Sequence, residues 1–131
     1  NIDNIPRELD LINMKTIAEK VFEPLRKFVG GPIAINSFYR SPKLNSAIGG
    51  STSSQHCIGC ALDIDDKYGY KTNAEMFKYI KCNLDFDQII WEFGNDINPD
   101  WIHVSYISED VNRRRCLQAY KENGKTKYKE I

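Results

Sequence analysis

The chain contains only two histidines, His56 and His103, and each lies near a carboxylate in a polar setting. His56 precedes Asp63 by seven residues, and Gly59 between them lets the chain turn closely. Two imidazoles and one carboxylate suit a catalytic zinc ion, which keeps a further position for water. Zinc lowers the pKa of that water to about 7, so the water can attack a carbonyl group at neutral pH. If the segments that carry His56, Asp63 and His103 are neighbours in the fold, the sequence predicts a hydrolytic zinc site.

Other assignments compete with this zinc site. Asp65 and Asp66 follow Asp63 closely and could supply the carboxylate instead, although such residues more often have solvated or loop-holding roles. A histidine in a strand, such as His103, is often a core residue whose ring hydrogen bonds are satisfied. The residue types and their spacing alone therefore leave the ligand set open.

The four cysteines offer a different kind of metal site. Cys57-x-x-Cys60 has the spacing of a structural zinc clamp, but such a clamp usually needs a second pair. Cys82 and Cys116 are isolated and supply no matching pair. We therefore expect free, mostly buried thiols, and a purely structural zinc domain built on Cys57 and Cys60 is the weaker hypothesis.

The elements that must position these side chains follow from hydrophobic periodicity. Apolar residues recur at helical spacing from about residue 7 to 29, and Pro24 should kink this predicted helix or divide it in two. Thr72 and Glu75 form a capping box that begins a second helix, over about 72–84. Short apolar runs predict strands at 33–36, 61–65, 87–92 and 101–107.

Alternation along two of these strands places the candidate ligands on open faces. Asp63 lies on the face of its strand opposite Leu62, and His103 lies on the face of its strand opposite Val104. Asn123-Gly124 predicts a terminal hairpin with a two-residue turn. The order of elements predicts an α+β fold with a mainly antiparallel sheet flanked by helices, and we expect one domain over residues 1–131.

The segments SFYRSPKLNSAIGGSTSSQHCIGCALDID and DWIHVSY resemble the zinc D-alanyl-D-alanine metallopeptidases. That family includes D,D-carboxypeptidases, D-Ala-D-Ala dipeptidases and phage L-alanyl-D-glutamate endolysins, and it shares its fold with hedgehog signalling domains. Its pattern S-x-H-x-x-G-x-A-x-D is met from Ser54 to Asp63, and its acidic-x-x-H pattern is met by Asp100 and His103. The similarity runs from EKVFEPLRKFVG to WIHVSY, and the final hairpin matches only loosely.

The resemblance implies a hedgehog-like fold in which His56, Asp63 and His103 bind zinc. It also implies that Asp100 is the general base, which takes a proton from the attacking water and later protonates the leaving amine. Well-known members carry Glu at the position of Asp100, so the shorter side chain is a departure. Glu92 is the rival for this role, because it ends a predicted strand and has the longer reach.

The resemblance extends to residues around the metal. Arg40 matches an arginine of the family that stabilises the developing oxyanion or binds a substrate carboxylate. Ser54 and Gln55 lie beside the first ligand and are expected to bind substrate or to orient that ligand. Tyr39 and Trp101 are expected to form walls of the cleft.

Composition limits the other possibilities. Eighteen Lys and Arg balance eighteen Asp and Glu, so the general electrostatic footprint of a nucleic-acid or anionic-membrane binder is missing. The run Arg113, Arg114 and Arg115 is interpreted as solvated. No apolar stretch is long enough for membrane insertion, and no signal segment is visible. We expect a monomer.

The predicted function is zinc-dependent hydrolysis of an amide bond in the peptide stem of peptidoglycan, by a D,D-carboxypeptidase or an endolysin-like endopeptidase. The enzyme is expected to act at the bacterial cell wall, released by lysis, carried on a virion or exported by an unseen leader. The alternative is a non-catalytic, hedgehog-like binding module that zinc stabilises. Asp100 separates the two hypotheses, since a binding module needs no acid there.

Overall fold

Six strands form one sheet in the computed structural model, which describes residues 2–131. The strands lie in the order β1-β2-β4-β3-β5-β6, and every neighbouring pair is antiparallel except β3 and β5, which are parallel. The predicted α+β class with a mainly antiparallel sheet is confirmed. The bounds are β1 Ala34–Ser37, β2 Ala61–Asp65, β3 Gln88–Glu92, β4 Trp101–Ser105, β5 Arg115–Glu122 and β6 Lys125–Glu130.

The N-terminal helical stretch is divided, as expected, but the division is a π-helical turn. Helix α1 spans Glu8–Ile17, the π turn spans Ala18–Phe22, and α2 spans Glu23–Val29. Within the turn, the Glu23 N–H donates to the carbonyl of Ala18, five residues back. Pro24 follows at once and has no N–H of its own, so a wider turn relieves the clash that its ring would make in a regular helix.

Three further helical segments complete the fold. Helix α4, Asn73–Asn83, begins at the predicted capping box. Two short helices were not predicted, namely α3, Pro42–Ala47, and a 3₁₀ helix, Gln55–Ile58. Ser41-Pro42 is a readable start signal for α3, because the serine Oγ accepts a hydrogen bond from the amide of Leu44 at 3.1 Å. None of the helices in residues 2–131 is long and apolar enough to cross a membrane.

The two faces of the sheet have different roles. One face packs against α1, α2, α4 and the π turn in the main core, and the residues of this core that are fully buried include Ile17, Val21, Leu25, Ile64, Ile80, Ile102 and Val104. Each such side chain contributes about 1.5–3 kcal/mol when it leaves water. The opposite face carries Asp63 and His103, together with a smaller apolar cluster of Ile90, Leu117 and Ala119. The helices thus stabilise one face and leave the other available for chemistry.

The four thiols are free, as expected, and no disulfide forms within the described part of the chain. The expectation that they are mostly buried is wrong. Only Cys60 is buried, Cys57 and Cys116 are half-buried, and Cys82 is exposed. Burial raises the pKa of the Cys60 thiol to about 11, so this residue is a packed and unreactive group.

Helix α1 holds the segment that carries His56. The Asn13 amide donates to the carbonyl of Ile58 at 2.8 Å, and Gly59, which ends the 3₁₀ helix with φ 77°, lies directly against α1. A Cβ at Gly59 would lie 2.5 Å from the carbonyl oxygen of Asp10 and 2.8 Å from Cγ of Met14. Glycine is therefore required at this position for both its backbone conformation and its size.

We predict that Gly59→Ala destabilises the protein far more than the matched change Gly69→Ala. Gly69 has φ 79°, but a Cβ added there would meet no atom within 4 Å, so its substitution costs only the backbone strain, about 1–2 kcal/mol. Gly59→Ala adds steric overlap with α1, which should cost about 2 kcal/mol more. Free energies of unfolding from urea titration measure both, and equal losses would contradict the proposed packing.

Candidate metal centre

Asp63 is the meeting point of the two histidines. Asp63 on β2 pairs with His103 on β4, and both side chains rise from the open face of the sheet. Oδ1 of Asp63 lies 3.1 Å from Nδ1 of His103 and 3.2 Å from Nε2 of His56. The three ligand atoms all lie within 4.8 Å of one another, close enough to share one metal ion.

His56 reaches this point from the 3₁₀ helix, which Ser54 caps by accepting a hydrogen bond from the His56 amide at 3.2 Å. The His56 ring is fixed by a bond of 2.7 Å between Nδ1 and the carbonyl of Phe38. Because a carbonyl only accepts, the ring proton lies on Nδ1 and the lone pair of Nε2 is free. Nε2 is buried and has no hydrogen-bond partner among the described residues.

These residues fit zinc. A buried polar atom without a partner is costly, and a metal ion at the unprotonated Nε2 of His56 would remove that cost. Burial alone would raise the pKa of Asp63, but its close contacts with the His103 and His56 rings hold it well below its usual range, so this side chain is an anionic ligand. Two imidazoles and one carboxylate are a common ligand set of catalytic zinc.

The metal ligands lie at a cavity of about 710 Å³, which is within the usual size of a ligand site. Glu92, the last residue of β3, lines the same cavity and is only 9 % exposed. Burial and, secondarily, the negative charge of Asp63 raise the pKa of Glu92 to about 7. A carboxyl group with this pKa can both accept and release a proton near neutral pH.

The structure places Asp100 outside this cavity. Asp100 is exposed, it is not a lining residue, and its backbone amide donates to the carbonyl of Glu92 at 2.8 Å. Asp100 lies in the bend just before β4, outside the strand that carries His103. Glu92 instead pairs with Trp101, which is two residues from His103 and on the same face of β4.

Arg40 lies where the sequence predicted a cation. It lines the cavity, its amide donates to the carbonyl of His56 at 3.1 Å, and one guanidinium nitrogen donates to Ser54 Oγ at 3.4 Å. Its Nε is buried without a partner, and no carboxylate of residues 2–131 forms a salt bridge with it. The positive charge of Arg40 is thus available to an anionic or polarised group in the cavity.

The other predicted substrate residues divide into two groups. Ser54 and Gln55 line the cavity, and Gln55 Nε2 donates to Oδ2 of Asp87 at 2.8 Å. Tyr39 and Trp101 do not line it. Tyr39 is buried away from the cavity, and Trp101 packs on Phe93 with ring centroids 5.5 Å apart.

The sequence did not indicate the wall formed by the C-terminal part of the chain. Leu117 on β5, Tyr128 on β6 and Arg113 just before β5 all line the cavity. Arg113, which the sequence placed in a solvated run, is half-exposed, but it also pairs with buried Asp87 and lines the cavity. The hairpin of β5 and β6 lies beside the metal centre because β5 pairs with β3 in parallel. No local pattern in the sequence indicated this pairing.

The fold and the site together define a metal-dependent hydrolase with a buried acid beside its metal ligands. Residues 4–105 match the family model described as Peptidase M15, and this segment contains the whole metal centre, Glu92 and Arg40. The chain belongs to the Peptidase M15 family, which consists of zinc metallopeptidases. A comparison with curated proteins finds no match.

We predict that His103→Ala abolishes stoichiometric zinc binding, because two of three protein ligands cannot hold the ion tightly. Elemental analysis after dialysis against metal-free buffer measures the zinc content. Cys57→Ser and Cys60→Ala are the matched controls and should each retain one zinc ion per chain. Zinc retained by His103→Ala but lost in both cysteine variants would move the metal to the Cys57-x-x-Cys60 segment.

Proposed function

We propose that this metallopeptidase hydrolyses an amide bond in the peptide stem of peptidoglycan, as a D,D-carboxypeptidase or an endolysin-like endopeptidase. The observation that carries the proposal is the shared cavity of the His56, Asp63 and His103 cluster with buried Glu92 and unpaired Arg40. The substrate class rests on the resemblance of the segments around His56 and His103 to D-alanyl-D-alanine metallopeptidases.

The reaction adds water across an amide. When bound by His56, Asp63 and His103, zinc supplies a Lewis acid that makes water more acidic and polarises the carbonyl group. Glu92 accepts a proton on its carboxylate as the water oxygen forms a bond to the carbonyl carbon. Glu92 then gives this proton to the amide nitrogen, the C–N bond breaks, and the products are a carboxylate and an amine.

Arg40 stabilises the negative charge that develops on the carbonyl oxygen, or it binds a carboxylate of the substrate. A guanidinium group donates paired hydrogen bonds to either group, and Ser54 fixes the orientation of this one from the cavity wall. Because no acid of the described residues neutralises Arg40, its full charge acts on the substrate.

We propose Glu92 as the general base in place of Asp100. Glu92 is buried at the cavity and its pKa is raised to about 7, whereas Asp100 is exposed outside it. A carboxyl group with a raised pKa keeps the proton long enough to transfer it to the leaving amine. A non-catalytic, zinc-stabilised module would have no use for a desolvated acid and a free arginine at one cavity.

The site of action follows from the proposed substrate. Peptidoglycan lies in the bacterial cell wall, so the enzyme would act there. The monomeric state that we expect remains part of the proposal. The direct test is incubation of purified peptidoglycan with the zinc-loaded enzyme, followed by mass spectrometry of the released fragments. The fragment masses identify the cleaved bond. Release of the same fragments in the presence of a metal chelator would contradict a zinc mechanism.

We predict that Glu92→Gln loses about two to four powers of ten in rate on peptidoglycan fragments, because the amide cannot take the proton. Zinc content should be unchanged, since Glu92 is not a ligand in the proposed site. Asp100→Asn is the matched control and should retain activity within a few-fold of the parent. An active Glu92→Gln enzyme beside an inactive Asp100→Asn enzyme would return the base to Asp100.

A further inference from the structure

One wall of the cavity comes from outside the segment that matches the family model. Residues 4–105 match, whereas Arg113, Leu117 and Tyr128 lie beyond them and line the same cavity as the metal ligands. The hairpin of β5 and β6 reaches the site because β5 pairs with β3 in parallel. This wall therefore lies outside the matched segment, and it is a place where substrate preference can be set.

Arg113 is the charged group of this wall, and its guanidinium group is held rigidly. Oδ1 of Asp87 accepts from the Arg113 amide at 3.0 Å and from Nε at 3.1 Å, and Oδ2 accepts from Nη2 at 2.8 Å. Asp87 is 2 % exposed and also accepts the bond from Gln55, the neighbour of ligand His56. A fixed fork of this kind loses little entropy when it binds a planar anion.

Part of this guanidinium group remains available. The Arg113 side chain is 50 % exposed although Asp87 is buried, and Nη1 has no hydrogen-bond partner among the described residues. The Asp87 carboxylate therefore orients the arginine, which lines the cavity, and leaves Nη1 without a partner among the described residues. Such an edge can donate a charge-assisted hydrogen bond to a carboxylate of a bound molecule.

The register of the sheet fixes where this carboxylate would lie. Arg113 Nη2 lies 3.4 Å from Oε1 of Gln88, which begins β3, whereas Glu92 ends the same strand. His103 pairs with Ile90, midway between them. Asp63, His103 and Ile90 thus form one row across the sheet, called the metal row here. Since a strand advances about 3.4 Å per residue, Gln88 lies about 7 Å along β3 to one side of this row, and Glu92 lies about 7 Å to the other side.

Two apolar side chains line the cavity between the metal ligands and Arg113. Ile90 and Leu117 are register partners on β3 and β5, both are buried to 6 % exposure, and both line the cavity. Aliphatic carbons of a substrate can therefore pack between the metal row and Arg113. The cavity thus has an acid at one end, the metal ligands in the middle and an arginine at the other end.

We propose that Arg113, oriented by buried Asp87, binds a carboxylate of the peptide substrate that is separate from the amide being cleaved. The inference rests on the proposed function and deepens it, because it makes the preferred substrate an acidic peptide. Arg113 is then a specificity-determining residue, since it holds the substrate at a distance from the reacting atoms and takes no part in proton transfer.

The test compares three synthetic peptides with the zinc-loaded enzyme. The probe is L-alanyl-γ-D-glutamyl-L-lysyl-D-alanyl-D-alanine. The first analogue has a carboxamide in place of the D-glutamyl α-carboxylate, and the second has a carboxamide at the C-terminus. We expect the parent enzyme to lose about 10- to 100-fold in kcat/KM on one analogue, the effect of losing a charge-assisted hydrogen bond. The analogue that Arg113→Gln no longer distinguishes from the probe identifies the carboxylate that Arg113 binds.

Arg113→Gln should lose a similar factor in kcat/KM on the probe, mainly through KM. This variant should no longer distinguish the probe from the carboxamide analogue that the parent enzyme cleaves poorly. Arg115→Gln is the matched control, because Arg115 pairs only with exposed Glu130 and does not line the cavity. It should keep the preference of the parent. Thermal unfolding and zinc content establish that each variant is folded. Should Arg113→Gln be unfolded, Arg113→Lys, which keeps the charge beside Asp87, should show a reduced preference.

The outcomes separate this proposal from the proposed function. A parent enzyme that cleaves all three peptides equally well overturns the role of Arg113 and leaves the hydrolase intact. An equal loss by Arg113→Gln on all three peptides would show a structural role only and would also overturn it, as would an Arg113→Lys enzyme with the full preference of the parent. A parent enzyme inactive on all three peptides and on peptidoglycan contradicts the proposed function, and the inference fails with it.

Discussion

The convergence of two histidine rings on one carboxylate oxygen is the constraint on which the site depends. Asp63 Oδ1 lies 3.1 Å and 3.2 Å from ring nitrogens of His103 and His56, and the three residues come from a strand, its antiparallel neighbour and a 3₁₀ helix. A shift of one residue between the two strands would send one ligand to the opposite face of the sheet. The large apolar core under the sheet therefore serves to fix this register.

The polar groups around the triad are costly to bury and become useful only with a metal and a substrate. Nε2 of His56 is buried without a partner among the described residues, Glu92 is desolvated beside another carboxylate, and no acid of residues 2–131 neutralises Arg40. Such groups weaken a fold that has no use for them. Their occurrence at one cavity, on a face that the helices leave open, is the physical basis for assigning catalysis there.

The sequence predicted the parts of the site that depend on local rules. Strand alternation put Asp63 and His103 on open faces, and the family motif supplied the partner His56 and the cation Arg40. Asp100 lies in an exposed bend before β4 and does not line the cavity, and the three-residue spacing of the motif did not reveal this. Long-range pairing was beyond such rules, because no local pattern joins β5 to β3 in parallel. Arg113 and Tyr128 were missed as cavity residues for that reason.

The central claim is that one zinc ion is held by His56, Asp63 and His103. X-ray absorption spectroscopy at the zinc edge of the zinc-loaded protein measures this most directly, because it reports the type and distance of each ligand atom. We expect only nitrogen and oxygen neighbours at about 2.0–2.2 Å, with a spectral contribution from two imidazole rings. A sulfur neighbour at about 2.3 Å would place the metal on the cysteines and contradict the assignment.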